Sequence, residues 1–251
     1  MNDYPRGYAG AQTMDMSVDA GLRGFMLGVY NKLGVGLIVS GLLAMATSQV
    51  PAVRDLMFAT QALPDGRVVA TGLTMLGMIV QFAPIVLLFG SMFFMKNPSA
   101  RGASLLYWAV VGSIGASLGL VLLIYTGQSV ATTFFVTAAA FGGLSLFGYT
   151  TKKDLSAIGS FLIMGVIGLI IAMVVNMFMQ SEALMYAISA AGVLIFSGLI
   201  AWDTQRLKAT YYALGGNEQG MAVATSFGAL SLYINFINLF QFLLMFLGQR
   251  E

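Results

Sequence analysis

Six stretches of this chain carry no charged side chain, and they run from 20 to 50 residues: Leu33 to Val53, Val68 to Met95, Gly102 to Thr151, Leu155 to Ser181, Ala183 to Trp202 and Gln219 to Gln249. Crossing the hydrocarbon core of a bilayer, about 30 Å thick, takes about 20 predominantly apolar residues, so every stretch can hold at least one crossing. The backbone has no water to bond to at that depth, which leaves helices or a closed barrel. The alternating apolar and polar pattern of barrel strands is absent, so the spans are helices. The fifty-residue stretch needs two of them, with Tyr125-Thr-Gly-Gln-Ser129 as the polar break. The reading is an all-α integral membrane protein of seven transmembrane helices, placed near residues 25–47, 72–95, 103–125, 130–149, 157–179, 183–204 and 222–247.

Composition closes off the alternatives. Of 251 residues 58% are hydrophobic and 9% charged, with a mean hydropathy of +0.85, against roughly 25% charged in a soluble domain. Twelve Lys and Arg against ten Asp and Glu make no basic face for a nucleic-acid backbone. Without Cys there is no thiolate nucleophile or iron–sulfur ligand, and without His no imidazole base or haem ligand. No catalytic residues emerge, the chain reads as a non-enzyme, and no tightly bound cofactor is expected. The partners expected are the lipid bilayer and other membrane proteins.

Residues 1–21 are polar, with Asp3, Arg6, Asp15 and Asp19, and read as a flexible tail; residues 22–251 form one seven-helix transmembrane domain. With seven spans, Arg6, Arg23, Lys96, Arg101, Lys152, Lys153, Arg206 and Lys208 share one side, against Arg54, Arg67 and Arg250 on the other. Short loops rich in Lys and Arg stay in the cytoplasm, which puts the N-terminus there. Lys32 falls inside the first span and is expected to snorkel back to the headgroups. Small residues four apart, at Gly24/Gly28, Ser113/Ser117 and Gly115/Gly119, allow close helix packing.

One charge stands out. Asp203 lies in Gly198-Leu-Ile-Ala-Trp-Asp-Thr-Gln-Arg-Leu-Lys208, at or just inside the end of the sixth helix. An ionisable group at membrane depth is costly and marks a functional site by default. The alternative is an interfacial carboxylate paired with Arg206 at i+3, although a carboxylate near a helix C-terminus opposes the macrodipole. On the last helix, Asn235 and Asn238 share a face at i and i+3, as a polar pore lining or as hydrogen-bonding contacts between helices. Asn176, Gln81 and Gln241 read as packing contacts. If Asn235 meets Asp203, the hydrocarbon part of the last helix starts near Gly228, with Gln219–Phe227 in the interface or a loop; the two Asn residues also leave a re-entrant bend open.

The Trp-Asp-Thr-Gln segment, followed by Gly228-Ala-Leu-Ser-Leu-Tyr-Ile-Asn-Phe-Ile-Asn-Leu-Phe-Gln-Phe-Leu-Leu-Met-Phe-Leu-Gly248, closely resembles the Bax inhibitor-1 (transmembrane BAX inhibitor motif) family. Thr151-Lys-Lys-Asp-Leu-Ser156 and Val29-Tyr-Asn31 extend the similarity over roughly residues 22 to 248. The resemblance implies seven helices with the last one central, and a pH-sensitive calcium leak. Its implied sensor is a pair of aspartates on the sixth and seventh helices, sharing a proton and latched by a basic group. Asp203 matches the first aspartate. The second position is Asn235 here, so the pair is Asp–Asn. The latch position falls near Lys96, with Arg206 as the other basic candidate.

Two carboxylates about 4 Å apart repel by about 4 kcal/mol at an effective dielectric of 20, which makes such a pair hold a proton. An amide removes that repulsion. It also removes one unit of attraction for calcium, which prefers oxygen ligands with formal charge, so Asp203 would bind the ion weakly, as a permeant species. Two functions follow: a calcium leak with a weakened pH response, or a non-conducting regulator, as relatives resembling this family are thought to be for a membrane-bound protease. Short loops and a compact tail suggest a bacterial member in the cell (inner) membrane.

Overall fold

A computed structural model describes residues 20–62, 64 and 68–249. The tail expected at 1–21 lies outside the described residues except for Ala20 and Gly21, which already belong to the first helix. Arg6, Arg67 and Arg250 of the orientation argument lie outside them too.

In chain order the elements are α1 (Ala20–Gln49), α2 (Pro51–Met57), β1 (Phe58–Ala62), β2 (Val68–Leu73), α3 (Met75–Phe94), α4 (Ala100–Ser117), α5 (Gly119–Ile124), α6 (Gly127–Thr150), α7 (Ser156–Met179), α8 (Glu182–Leu214) and α9 (Glu218–Leu247). Seven spans long and apolar enough to cross a membrane are α1, α3, α4 with α5, α6, α7, α8 and α9. The chain is an all-α integral membrane protein. Hydroxyl and amide caps set several starts: Thr74, Ser99, Thr126, Ser181 and Asn217 each accept a backbone N–H from the first turn of α3, α4, α6, α8 and α9. Gly215, at φ +54°, ends α8 in the left-handed conformation that costs glycine little.

The sequence reading missed the antiparallel hairpin of β1 and β2, which joins the first two spans. Its strands are five and six residues long, too short to betray themselves in an otherwise apolar run. Helix ends also differ. The span expected at 183–204 runs to Leu214, and the one expected at 222–247 begins at Glu218, so Gln219–Phe227 is helical and no loop intervenes. At about 1.5 Å per residue, the 33 residues of α8 rise about 50 Å. That exceeds the hydrocarbon thickness, so polar residues near the α8–α9 turn continue the helix beyond the membrane. Arg206 and Lys208, expected in a loop, are both in α8.

The last helix is central. In its most apolar stretch 56% of residues are buried, against 6% in α3 and 11% in α7. Its principal neighbours are α1, α4, α6 and α8, while α3 packs on α4 and α7 on α8. Buried Leu232, Tyr233, Phe236, Leu239 and Phe240 cover several faces of α9, the pattern of a helix enclosed by others. The small residues act within the chain. A Cβ on Gly115 would stand 2.7 Å from Ser40 Cα, and one on Gly119 would meet Thr47, so these glycines bring α4 and α5 against α1. Gly24 faces open space.

Candidate functional site

The residues of the Trp-Asp-Thr-Gln segment point in different directions, because successive helix positions turn by about 100°. Trp202 covers Gly159 of α7, where a Cβ would run into its ring. Gln205 ties down the connection between α6 and α7, accepting from Leu155 N–H at 2.8 Å and donating to Lys153 O at 2.8 Å. Thr204 bonds its own helix at Ile200 O. Asp203 turns to α9.

Asp203 is 3% exposed. Its Oδ2 accepts from Asn235 Nδ2 at 2.7 Å and from Ser231 Oγ at 2.5 Å. Ser231 and Asn235 are four apart, so one face of α9 presents both. Arg206 Nη2 lies 2.7 Å from Asp203 Oδ1, off the direction of a hydrogen bond, so Oδ1 has an ionic neighbour and accepts no directed bond. The Arg206 side chain is 46% exposed. Its guanidinium also donates to Ser231 Oγ at 3.3 Å and lies 4.7 Å from the Trp202 ring centroid. The result is a buried carboxylate clamped by two neutral donors on α9 and held by one cation from its own helix.

The structure therefore brings Asp203, Asn235 and Arg206 together and leaves two other candidates aside. Lys96 is exposed, in the bend after α3, on a span that packs outside the central group. It takes no part in the cluster; Arg206 is one helical turn from Asp203 and meets it with no rearrangement. Asn238 donates to Ile234 O of its own helix at 2.8 Å, away from Asp203. Asp203 itself stands eleven residues before the end of α8, about 16 Å at 1.5 Å per residue, so the macrodipole objection does not apply at its depth. Asn176, expected as a packing contact, accepts from Ser181 N–H across the end of α7 at 3.1 Å.

Two cations that turn in among the helices escaped the sequence reading, Lys32, which is half-buried, and Lys208, which is buried. Lys32 is tied to neighbouring helices. Its Nζ donates to Ser104 Oγ at 3.0 Å and Ser226 Oγ at 2.8 Å, joining α1, α4 and α9, and lies 5.1 Å from the centroid of Tyr107. The Tyr107 hydroxyl, fully buried, donates to Lys32 O at 2.6 Å. These hydroxyl partners offset the cost of withdrawing the ammonium from water. Lys208 is 8% exposed and donates to Tyr149 O at 2.5 Å. Depth was the available signal for Lys32, which is twelve residues past Ala20 on α1, and the rule that flagged Asp203 flags it equally. Deeper still, the Ser40 and Tyr233 hydroxyls meet at 2.6 Å.

Comparison with known proteins gives consistent results. Residues 22–251 match the family described as "Inhibitor of apoptosis-promoting Bax1". An uncharacterized protein of Caulobacter vibrioides is 66% identical, over 99% of this chain and 98% of its own length. Another of Rickettsia prowazekii is 41% identical over all of both. The Escherichia coli protein named "Inner membrane protein YbhL" is 36% identical, over 92% of this chain and 94% of its own.

Proposed function

The chain belongs to the Bax inhibitor-1 family of membrane proteins, and on that premise we propose that it is a calcium leak of the cell membrane, N-terminus in the cytoplasm, controlled at Asp203. One observation carries the reading: a carboxylate buried in the bundle whose charged partner is a half-exposed guanidinium. Burial makes an uncompensated charge there costly, while exposure lets Arg206 leave for water. Departure of Arg206 uncovers a cluster of oxygens, from the Asp203 carboxylate, the Asn235 carbonyl and the Ser231 hydroxyl, of the hard type that calcium selects. A single formal charge makes the ion's stay short, as passage requires. A proton on Asp203 would release Arg206 as well, and without a second acid this pH response is shallow.

Lys32 and Lys208 favour a second reading, a non-conducting regulator of other membrane proteins. With Arg206 they set three basic groups against one carboxylate in or beside the bundle, and fixed positive charge repels a divalent cation. Purified protein in vesicles loaded with a calcium dye tests the choice. Calcium entry above that of protein-free vesicles supports the leak; none, together with recovery of an intact membrane-protease complex on the tagged chain, supports the regulator.

A further inference from the structure

We propose that the cleft between α1 and α6, at the end of the bundle where α1 begins, binds one anionic phospholipid, its phosphate on Arg23 and an acyl chain along Phe141. The cleft has a volume of about 500 Å³ and is lined by Arg23, Tyr30, Phe141, Gly142, Ser145 and Tyr149, among others. Its depth comes partly from glycine: a Cβ on Gly142 would meet nothing within 4 Å.

The occupant follows from what the walls offer. Leu27 and Leu146, at 49% and 63% exposed, also line the cleft, which opens it sideways to the bilayer. Apolar walls hold water poorly, so hydrocarbon is the natural filling. Arg23, three residues past Ala20 and exposed, makes no ion pair among the described residues. Its planar fork matches the oxygens of a phosphate. Buried Lys208, bonded to Tyr149 O, adds positive potential at the same end. Basic pockets between transmembrane helices are sites for anionic headgroups. A second observation is independent of charge. Ser145 lines the cleft at 6% exposure, and its Oγ has no hydrogen-bond partner. A buried hydroxyl without a partner is unfavourable; its oxygen is enclosed as it stands, and rotation about χ1 towards the cleft would let it donate to an ester carbonyl of a lipid seated there.

The test uses the full chain, stripped of lipid in detergent and incubated with equal amounts of dioleoyl phosphatidylglycerol and dioleoyl phosphatidylcholine. Native mass spectrometry reads the bound lipid. Wild type is expected to hold one lipid per chain, phosphatidylglycerol about tenfold over phosphatidylcholine, which corresponds to a tenfold ratio of dissociation constants. Arg23→Gln should bring the ratio close to one with the chain still lipid-bound. Gly142→Leu, which fills empty space without touching Arg23, should lower occupancy by both lipids. Circular dichroism and thermal melting confirm that each variant is folded, and lysine at position 23 (R23K) should keep most of the preference. Equal retention of the two lipids by wild type, an unchanged ratio in Arg23→Gln, or full occupancy in Gly142→Leu would overturn the assignment, as would inorganic phosphate stabilising the chain as strongly as phosphatidylglycerol.

Discussion

The Asn235 amide donates to Asp203 Oδ2 at 2.7 Å, and both residues are buried, 6% and 3% exposed. Across the contact between α8 and α9, then, an acid faces a neutral donor. The amide bonds the ionised carboxylate directly and asks for no shared proton. Ser231, one turn earlier on α9, donates to the same oxygen. The carboxylate is satisfied on one oxygen by α9 and neutralised on the other by Arg206, so the cluster is closed as it stands.

Replacing that amide with an acid should create a pH-dependent fault. In Asn235→Asp two carboxylates would stand close together, and at about 4 Å they repel by up to about 4 kcal/mol at an effective dielectric of 20. Protonation relieves the repulsion. The variant should come closest to wild type below about pH 4, where both carboxyls are protonated in the folded and the unfolded chain, and lose stability relative to wild type as pH rises towards 8. Thermal melting in detergent at the two pH values checks it, and equal melting shifts in both proteins would count against the geometry.

Arg206→Gln removes the cation from a carboxylate that stays buried. Because the Arg206 side chain is 46% exposed, the loss should be modest, about 1–3 kcal/mol. Coupled with Asp203→Asn, the double variant should lose less than the sum of the single ones, by about 0.5–3 kcal/mol, as contacting residues do. Trp202, whose ring the guanidinium covers, should change its fluorescence in Arg206→Gln. Strict additivity and unchanged emission would argue that the ion pair is idle.

Much of this arrangement was legible in the sequence because charge is scarce there. Seven spans followed from six uncharged stretches and one polar break, and Asp203 was marked by its depth alone. The facing of Asp203 and Asn235 rested on the family resemblance. Other features were hidden for physical reasons. Nothing local separates the end of a membrane-crossing segment from a helix that continues into water, so α8 was read ten residues short. Basic loops and basic helical extensions look alike, which misplaced Arg206 and Lys208. Lys32 was assigned to the headgroups because its two hydroxyl partners, Ser104 and Ser226, are 72 and 194 residues away, and that distance is closed only by the fold. The same is true of Lys96, placed near the latch by the family resemblance and left outside by the packing of α3.

Lys32→Met keeps the length of the side chain and removes its charge. Ser104 and Ser226 lose their shared donor, with a cost of about 1–2 kcal/mol. If cations pass through the bundle, removal of this fixed positive charge should speed them, and Lys32→Arg should not. A calcium-flux comparison of the two variants in vesicles decides it; equal rates would show that Lys32 lies off the path.

Helix contact between α6 and α8 depends on Gly148. A Cβ there would collide with the Ala201 carbonyl, next to Trp202 and Asp203. Gly148→Ala should destabilise by about 1–3 kcal/mol through overpacking, while Gly142→Ala on the same helix, where a Cβ meets nothing within 4 Å, should stay within about 0.5 kcal/mol. Melting temperatures of the two variants are the check. The reverse order would mean that α6 is rotated from the position described.

Calcium entry into dye-loaded vesicles containing wild type or Asp203→Asn puts the central claim to its most direct trial. The substitution keeps the shape and one acceptor oxygen for Asn235 and Ser231 while replacing the charged oxygen beside Arg206 with a neutral NH2, so the protein should fold, insert and stop passing calcium. An Asp203→Asn protein that conducts as wild type does would contradict the account.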